Sequence, residues 1–185
     1  MNVNYMQFSR SHHPKIKITL FGSESTGKTT LAEQLASHFH TVWTPEYARI
    51  YQERHNRLLT YRDVTPIAKG QIKLEQYYLS QTQELLICDT DILETKVYSE
   101  AYYSKCPEWI VQTIPGCYAD LYLFMDIDLP WIPDGIRDRP NDREEMHARF
   151  REELQSRRLP FVLLSGNMED RFIHALKYIE ELVLK

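Results

Sequence analysis

The octapeptide Gly22-Ser23-Glu24-Ser25-Thr26-Gly27-Lys28-Thr29 constrains this chain more than any other stretch. It fits the pattern G-x-x-x-x-G-K-[ST]. It lies between a β-branched run at 15–21 (KIKITLF) and a segment with Leu31, Leu35 and Phe39 at helical spacing. A strand–loop–helix unit of this kind turns its backbone amides inward at a helix N-terminus and forms an anion nest. Glycines permit the close approach that side chains would block. The pattern assigns Gly22, Ser23, Glu24, Ser25, Thr26 and Gly27 to wrapping phosphates, with Thr30 completing the cradle. It sends the Lys28 ammonium to the β- and γ-phosphates and the Thr29 hydroxyl to Mg²⁺. The expected ligands are ATP and Mg²⁺.

Downstream, strand and helix signals alternate. Residues 41–46 read as a short strand, 47–57 as a helix with Ile50 and Tyr51 on one face, and 63–83 as a longer helix opened by Thr65-Pro66. In that longer helix Ile67, Ile72, Leu74, Tyr78 and Leu79 are the expected buried positions. Residues 84–88 (ELLIC) form a buried-type strand, 92–103 a helix, 121–125 (LYLFM) a strand, 142–157 a charged helix, 161–164 (FVLL) a last strand and 168–182 a closing helix. Alternation of this kind predicts an α/β domain over 15–185 with a mostly parallel, five-stranded sheet flanked by helices. Residues 1–14 are expected to form a flexible polar leader. Functional groups then belong at the carboxyl ends of the strands, where Glu46, Asp89 and Asp126 stand.

Leu85-Leu86-Ile87-Cys88-Asp89 is four apolar residues followed by an acid, so Asp89 is expected to join Thr29 in holding the metal. Asp91 has two readings, a cap for the following helix or a substrate contact. Glu46 also has two: a carboxylate that accepts a proton from an attacking hydroxyl, or a solvated acid favoured by the helix dipole. Residues 131–143 (WIPDGIRDRPNDR) form a Pro- and Gly-containing loop carrying Arg137, Arg139 and Arg143. Arginines on a closing loop can stabilise the charge that spreads over a transferring phosphoryl group, and closure excludes water. The acids and arginines of 144–153 read instead as a solvated helix with pairs such as Glu145 with Arg149. Arg157-Arg158 reads as solvated too. Tyr77-Tyr78, Tyr102-Tyr103 and Phe124 read as packing residues.

Composition excludes several alternatives. The net charge of −4 and the lack of a basic stripe argue against nucleic acid as a partner. No run approaches the roughly 18 apolar residues of a membrane span. Cys88, Cys106 and Cys117 are odd in number and make no C-x-x-C pair, which favours a reduced, cytoplasmic setting, and Cys88 reads as a buried thiol. There is no N-K-x-D segment for guanine, which disfavours a GTPase switch.

The ordered set GSESTGKTTLAEQLA, PEYAR at 45–49, GQ at 70–71, ICDTD at 87–91, PWIPDGIR at 130–137 and EDRF at 169–172 resembles the ribosylnicotinamide kinase domain of the NadR family. The likeness runs from about Lys15 to the C-terminus. It implies a P-loop kinase fold with an Arg-rich lid. It also implies ATP-dependent phosphorylation of nicotinamide riboside to nicotinamide mononucleotide, a salvage step toward NAD. Family members also carry a helix-turn-helix domain and an adenylyltransferase domain, and the resemblance covers only the kinase part. On this reading Lys28, Glu46, Asp89, Arg137 and Arg139 serve the reaction, with either Glu46 or Asp89 orienting the acceptor hydroxyl. Glu46, Tyr47, Arg49, Gln71, Asp91, Trp131 and Asp134 would meet the nucleoside. The chain departs from the family at Pro45, where a Trp often stacks on the nicotinamide ring. Trp43 lies two residues earlier, and Tyr47, Tyr51 and Trp131 are the candidate replacements for the missing ring. A pyridinium cation favours aromatic faces and nearby carboxylates, which Glu46 and Asp134 offer. The rivals are a kinase for another small metabolite on the same fold and a non-catalytic ATP-binding regulator. Oligomeric state is not legible in the sequence.

Overall fold

The computed structural model describes residues 15–131 and 142–183. The expected leader at 1–14 and the centre of the expected lid, with Asp134, Arg137 and Arg139, lie outside the described residues.

Every strand of the sheet is parallel to its neighbours. The strands are β1 (Ile16–Phe21), β2 (Val42–Thr44), β3 (Leu85–Asp89), β4 (Leu121–Met125) and β5 (Phe161–Leu164), in the spatial order β2-β3-β1-β4-β5. Strands β3 and β4 read as nearly continuous apolar runs because helices cover both faces. The period of two in the three central strands divides the core. Ile18, Leu20, Ile87, Leu123 and Met125 face α1 (Lys28–His38) and α7 (Met168–Val183), where Leu31, Leu35, Ala175 and Ile179 meet them. Phe21, Tyr122 and Phe124 point the other way, toward α3 (Tyr61–Gln81), α4 (Ile92–Tyr103) and α6 (Arg143–Ser156). Trp43 packs against the first of these clusters.

Several boundaries differ from the sequence expectation. The strand expected at 41–46 stops at Thr44, so Glu46 is the N-cap residue of α2 (Tyr47–His55) and not a strand end. Helix α3 begins at Tyr61, ahead of Thr65-Pro66, because Thr60 and Asp63 form a reciprocal capping box. Of its expected buried positions only Ile67 is buried; Ile72, Leu74, Tyr78 and Leu79 are partly exposed, and the covered stripe is Val64, Ile67, Ala68, Gln71 and Glu75. The short α5 (Glu108–Thr113) and the turn that follows it were too brief to show a period. The expected Glu145–Arg149 pair is present. Arg157, expected to be solvated, is instead bound to Glu153 and to the Tyr118 hydroxyl.

Behind the sheet edge lies a buried polar chain. The Lys17 ammonium donates to Glu75 Oε2 at 2.5 Å and to the Cys117 carbonyl at 2.9 Å, and Asp91 Oδ2 is 3.9 Å away. Burial penalises the Lys17 charge, but Glu75 and Asp91 outweigh it and hold its pKa above the usual lysine value. Glu75 Oε1 accepts from Gln71 Nε2, and Gln71 Oε1 accepts from the Tyr47 amide at 2.8 Å. Gln71 thereby satisfies a free donor at the start of α2. Gly70 sits one residue before it because a Cβ there would lie 1.9 Å from the Tyr47 ring. A helical glycine costs roughly 1 kcal/mol against alanine, and here it opens the slot that seats Tyr47. Lys17→Met should destabilise the protein by about 3–5 kcal/mol in urea denaturation, because it strands two buried carboxylates. Adding Glu75→Met should recover a substantial part of that loss.

Candidate active site

The phosphate loop joins β1 to α1 at the carboxyl edge of the sheet. Gly27 has φ 84° and caps α1, and a Cβ there would meet the Met168 sulfur at 2.7 Å. Ser25 also adopts a positive φ of 58°, the alternating geometry from which anion nests are built. The Thr26 hydroxyl donates to the Ser23 carbonyl and stiffens the turn. Lys28 is buried, and its ammonium donates to the carbonyls of Gly22 and Ser23 at 2.7 and 2.9 Å.

Thr29 and Asp89, separated by 60 residues in sequence, are joined by a hydrogen bond of 2.6 Å from the Thr29 hydroxyl to Asp89 Oδ2. Asp89 Oδ1 is buried with no hydrogen-bond partner among the described residues. Burial, reinforced by Glu46, pushes the Asp89 carboxyl up to about 6 despite Lys28, Thr29 and Arg49. A hydroxyl beside a carboxylate with an unused, buried oxygen suits a divalent cation that keeps most of its other ligands from phosphate and water. No cluster of three or more His, Cys, Asp or Glu side chains capable of holding a metal occurs among the described residues.

Beside this pair opens a cavity of about 360 Å³. Its walls bring together the loop from Glu24 to Thr30, then Glu46 and Arg49 of the α2 entry, and Gln71 of α3. From α4 come Glu94, Tyr98, Tyr102 and Tyr103. Thr90 also lines it, with φ 72°, a left-handed conformation that is strained for a β-branched residue. Its amide is held by the Leu20 carbonyl, and its carbonyl faces Gln71 Nε2 at 3.5 Å.

Several expected site residues lie elsewhere. Asp91 is the N-cap of α4: Oδ1 accepts from the amides of Leu93 and Glu94, and Oδ2 accepts from the Tyr122 hydroxyl. It is 1% exposed and does not line the cavity, so of its two readings the capping one holds. Tyr47 is seated against Gly70, and Tyr51 stacks on His55 and donates to Asp63; neither lines the cavity, nor does Trp131.

Two residues that sequence reasoning passed over are central. Glu94 lies 3.6 Å from the Lys28 ammonium, is 4% exposed, and has Oε2 unpartnered among the described residues. Burial, with Glu46 and Asp89 nearby, holds its carboxyl well above the usual range although Lys28 opposes this. Asp91-x-x-Glu94 reads in sequence as a capping pair, which hides the second acid. Arg171 is fully buried on α7. Its guanidinium donates to the carbonyls of Thr26, Asp126 and Gly166 and pairs with Asp128.

The parallel order, the phosphate loop on the first strand and the acid at the end of its neighbour define a P-loop kinase fold. A family model described as AAA domain matches residues 17–171, and the chain belongs to that family. It is also similar to the trifunctional NAD biosynthesis/regulator protein NadR of Escherichia coli (strain K12), at 26% identity over 90% of this chain and 42% of that protein. The chain thus spans less than half the length of that relative. A crystal structure of NadR in complex with NR superposes with a TM-score of 0.78 at 27% identity, covering 92% of this chain and 52% of that one. A second, in complex with NAD and AMP-PNP, gives 0.73 at 27% identity over 91% and 50%. Thymidylate kinase from Ehrlichia chaffeensis shares the fold, with a TM-score of 0.62 at 16% identity over 89% of this chain and 98% of that one. The expected resemblance to NadR therefore stands, as does the fold class, with the sheet all parallel where a mostly parallel one was expected.

Between the ordinary aspartate value and about 6, the folded protein binds more protons at Asp89 than the unfolded chain does. Stability from this group therefore falls as pH rises through that window. The ligand-free Asp89→Asn variant should be more stable than the parent near pH 7.5, by up to about 3 kcal/mol. Thermal melts should show the difference shrinking as pH is lowered toward about 4.

Proposed function

We propose that this chain is an ATP-dependent small-molecule kinase that phosphorylates the 5′-hydroxyl of nicotinamide riboside, yielding nicotinamide mononucleotide on a route to NAD. The observation that carries the reading is the junction of two features: Lys28 and Thr29, the latter bonded to Asp89, line the same cavity as the acids and tyrosines. The NadR proteins that share this fold support the choice of acceptor, one solved in complex with NR and another with NAD and AMP-PNP.

Gly22 to Thr30 hold the ATP phosphates through backbone amides. Lys28 exchanges its loop carbonyls for phosphate oxygens and neutralises charge as the γ-phosphoryl group transfers. Thr29 and Asp89 would hold Mg²⁺, which would offset the charge of the phosphates. Glu46, at the cavity wall, orients the acceptor hydroxyl. Little proton transfer is required of it if the transition state is loose. Arg49 and Gln71 face the nucleoside, and Gln71 does so while fixing the start of α2. Asp134, Arg137 and Arg139, with Trp131 at the loop's near end, close over the reactants and exclude water. A cytoplasmic setting goes with this reading, since ATP and NAD precursors are available there. Among the described residues no helix is long and apolar enough to cross a membrane.

An ADP-release assay tests this. Nicotinamide riboside should stimulate turnover, with kcat/KM exceeding that for uridine or cytidine by roughly tenfold or more. Lys28→Ala should lower kcat by about 10²–10³-fold. Equal stimulation by all nucleosides would favour a broad nucleoside kinase. ATP binding without acceptor-dependent turnover would favour a regulator.

A further inference from the structure

Helix α4 carries a stripe of which the sequence reading singled out only Tyr102, as a packing residue. Glu94, Tyr98 and Tyr102 are spaced i, i+4, i+8, so they share one face, and all three line the cavity. The Tyr98 and Tyr102 rings stack with centroids 5.9 Å apart and 28° between planes. The Phe150 ring abuts Tyr98 edge-on at 5.4 Å and fixes it from the side of the core. Glu94 anchors the lower end of the stripe beside Lys28. At about 1.5 Å per residue, Tyr98 and Tyr102 stand roughly 6 and 12 Å further along the helix. A ribonucleoside whose 5′-hydroxyl meets the phosphate end near Lys28 therefore carries its heterocycle up this wall. Glu46 contributes a second carboxylate to the same space.

We infer that Tyr98 and Tyr102 form the recognition wall for the substrate's cationic ring and set the preference for a pyridinium nucleoside over an uncharged one. The inference rests on the kinase reading above and deepens it. Aromatic rings attract a cation through their quadrupole, and the Glu46 carboxylate in the same space adds to the negative field. Position 45, which holds proline, is thereby relieved of the stacking task. Tyr47 and Tyr51, the α2 tyrosines considered from the sequence, are engaged with Gly70 and with His55 and Asp63.

The test compares kcat/KM for nicotinamide riboside with that for benzamide riboside, its uncharged isostere, in the full chain. The parent protein should prefer the cation by about 3- to 30-fold. Tyr98→Leu and Tyr102→Leu should each reduce that ratio toward unity, chiefly by raising KM for nicotinamide riboside. Tyr98→Phe and Tyr102→Phe, which keep the ring, should restore it. Equal losses for both substrates in the leucine variants would show a structural role only and overturn the assignment, as would an unchanged ratio. Turnover of neither riboside by the parent protein would overturn the kinase reading, and this inference with it.

Discussion

The guanidinium of Arg171 has no contact with water, yet three backbone carbonyls and one carboxylate converge on it. Those carbonyls belong to the phosphate loop at Thr26, to the end of β4 at Asp126 and to the turn before α7 at Gly166. A single side chain thus bolts three separate crossings of the sheet's carboxyl edge together. The planar, multi-donor geometry of arginine is what makes this possible, because a lysine offers one compact charge and cannot span the three directions. A loop built to bind phosphate must keep its amides aimed inward without a ligand to organise them. The Arg171 bond to Thr26 holds it from the side opposite Asp89.

On the other flank, the Lys17–Glu75–Gln71 chain does the same for the acceptor side. It fixes α2 through the Tyr47 amide and reaches the Thr90 carbonyl, so Glu46 and the Asp89–Asp91 turn are held against a common frame. The cavity lies between these two anchors. Their cost is burial of charge, and in each case the charge is matched by several hydrogen bonds, without which it would favour unfolding.

Which parts of this were legible follows from range. The phosphate loop, the three central strands and α4 are written in local pattern: glycine spacing, apolar runs and helical period each need only a few neighbouring residues. The meeting of Asp89 with Thr29 was legible because an apolar run that ends in an acid can be paired with a P-loop from local pattern alone. Glu94 was not, since its spacing from Asp91 imitates a capping pair and only the folded chain brings it to Lys28. Arg171 sits in EDRF, which the resemblance picked out without giving the arginine a task; its burial depends on carbonyls up to 145 residues away. Gly70 and Gln71 stood out in the sequence, but the geometry gives Gln71 a task at the α2 N-terminus as well as a place in the cavity wall. Tyr102 and Tyr103 of α4 read as packing, the commoner use of tyrosine, and Tyr98 carried no signal of its own.

The site is also where the fold is least at ease. Thr90 is held in a left-handed conformation, two carboxyls at Asp89 and Glu94 are buried with unused oxygens, and Glu46 adds a third acid to the same space. Each feature opposes folding, by about 1–3 kcal/mol for such a backbone strain alone. A site that binds a polyanion through one lysine would gain nothing from concentrating acids beside it. On the kinase reading proposed above, cations complete the arrangement: a metal at Asp89, and a positively charged acceptor further along α4. The same acids that weaken the empty protein then become the basis of selection, because an uncharged nucleoside would leave the buried carboxyl groups uncompensated.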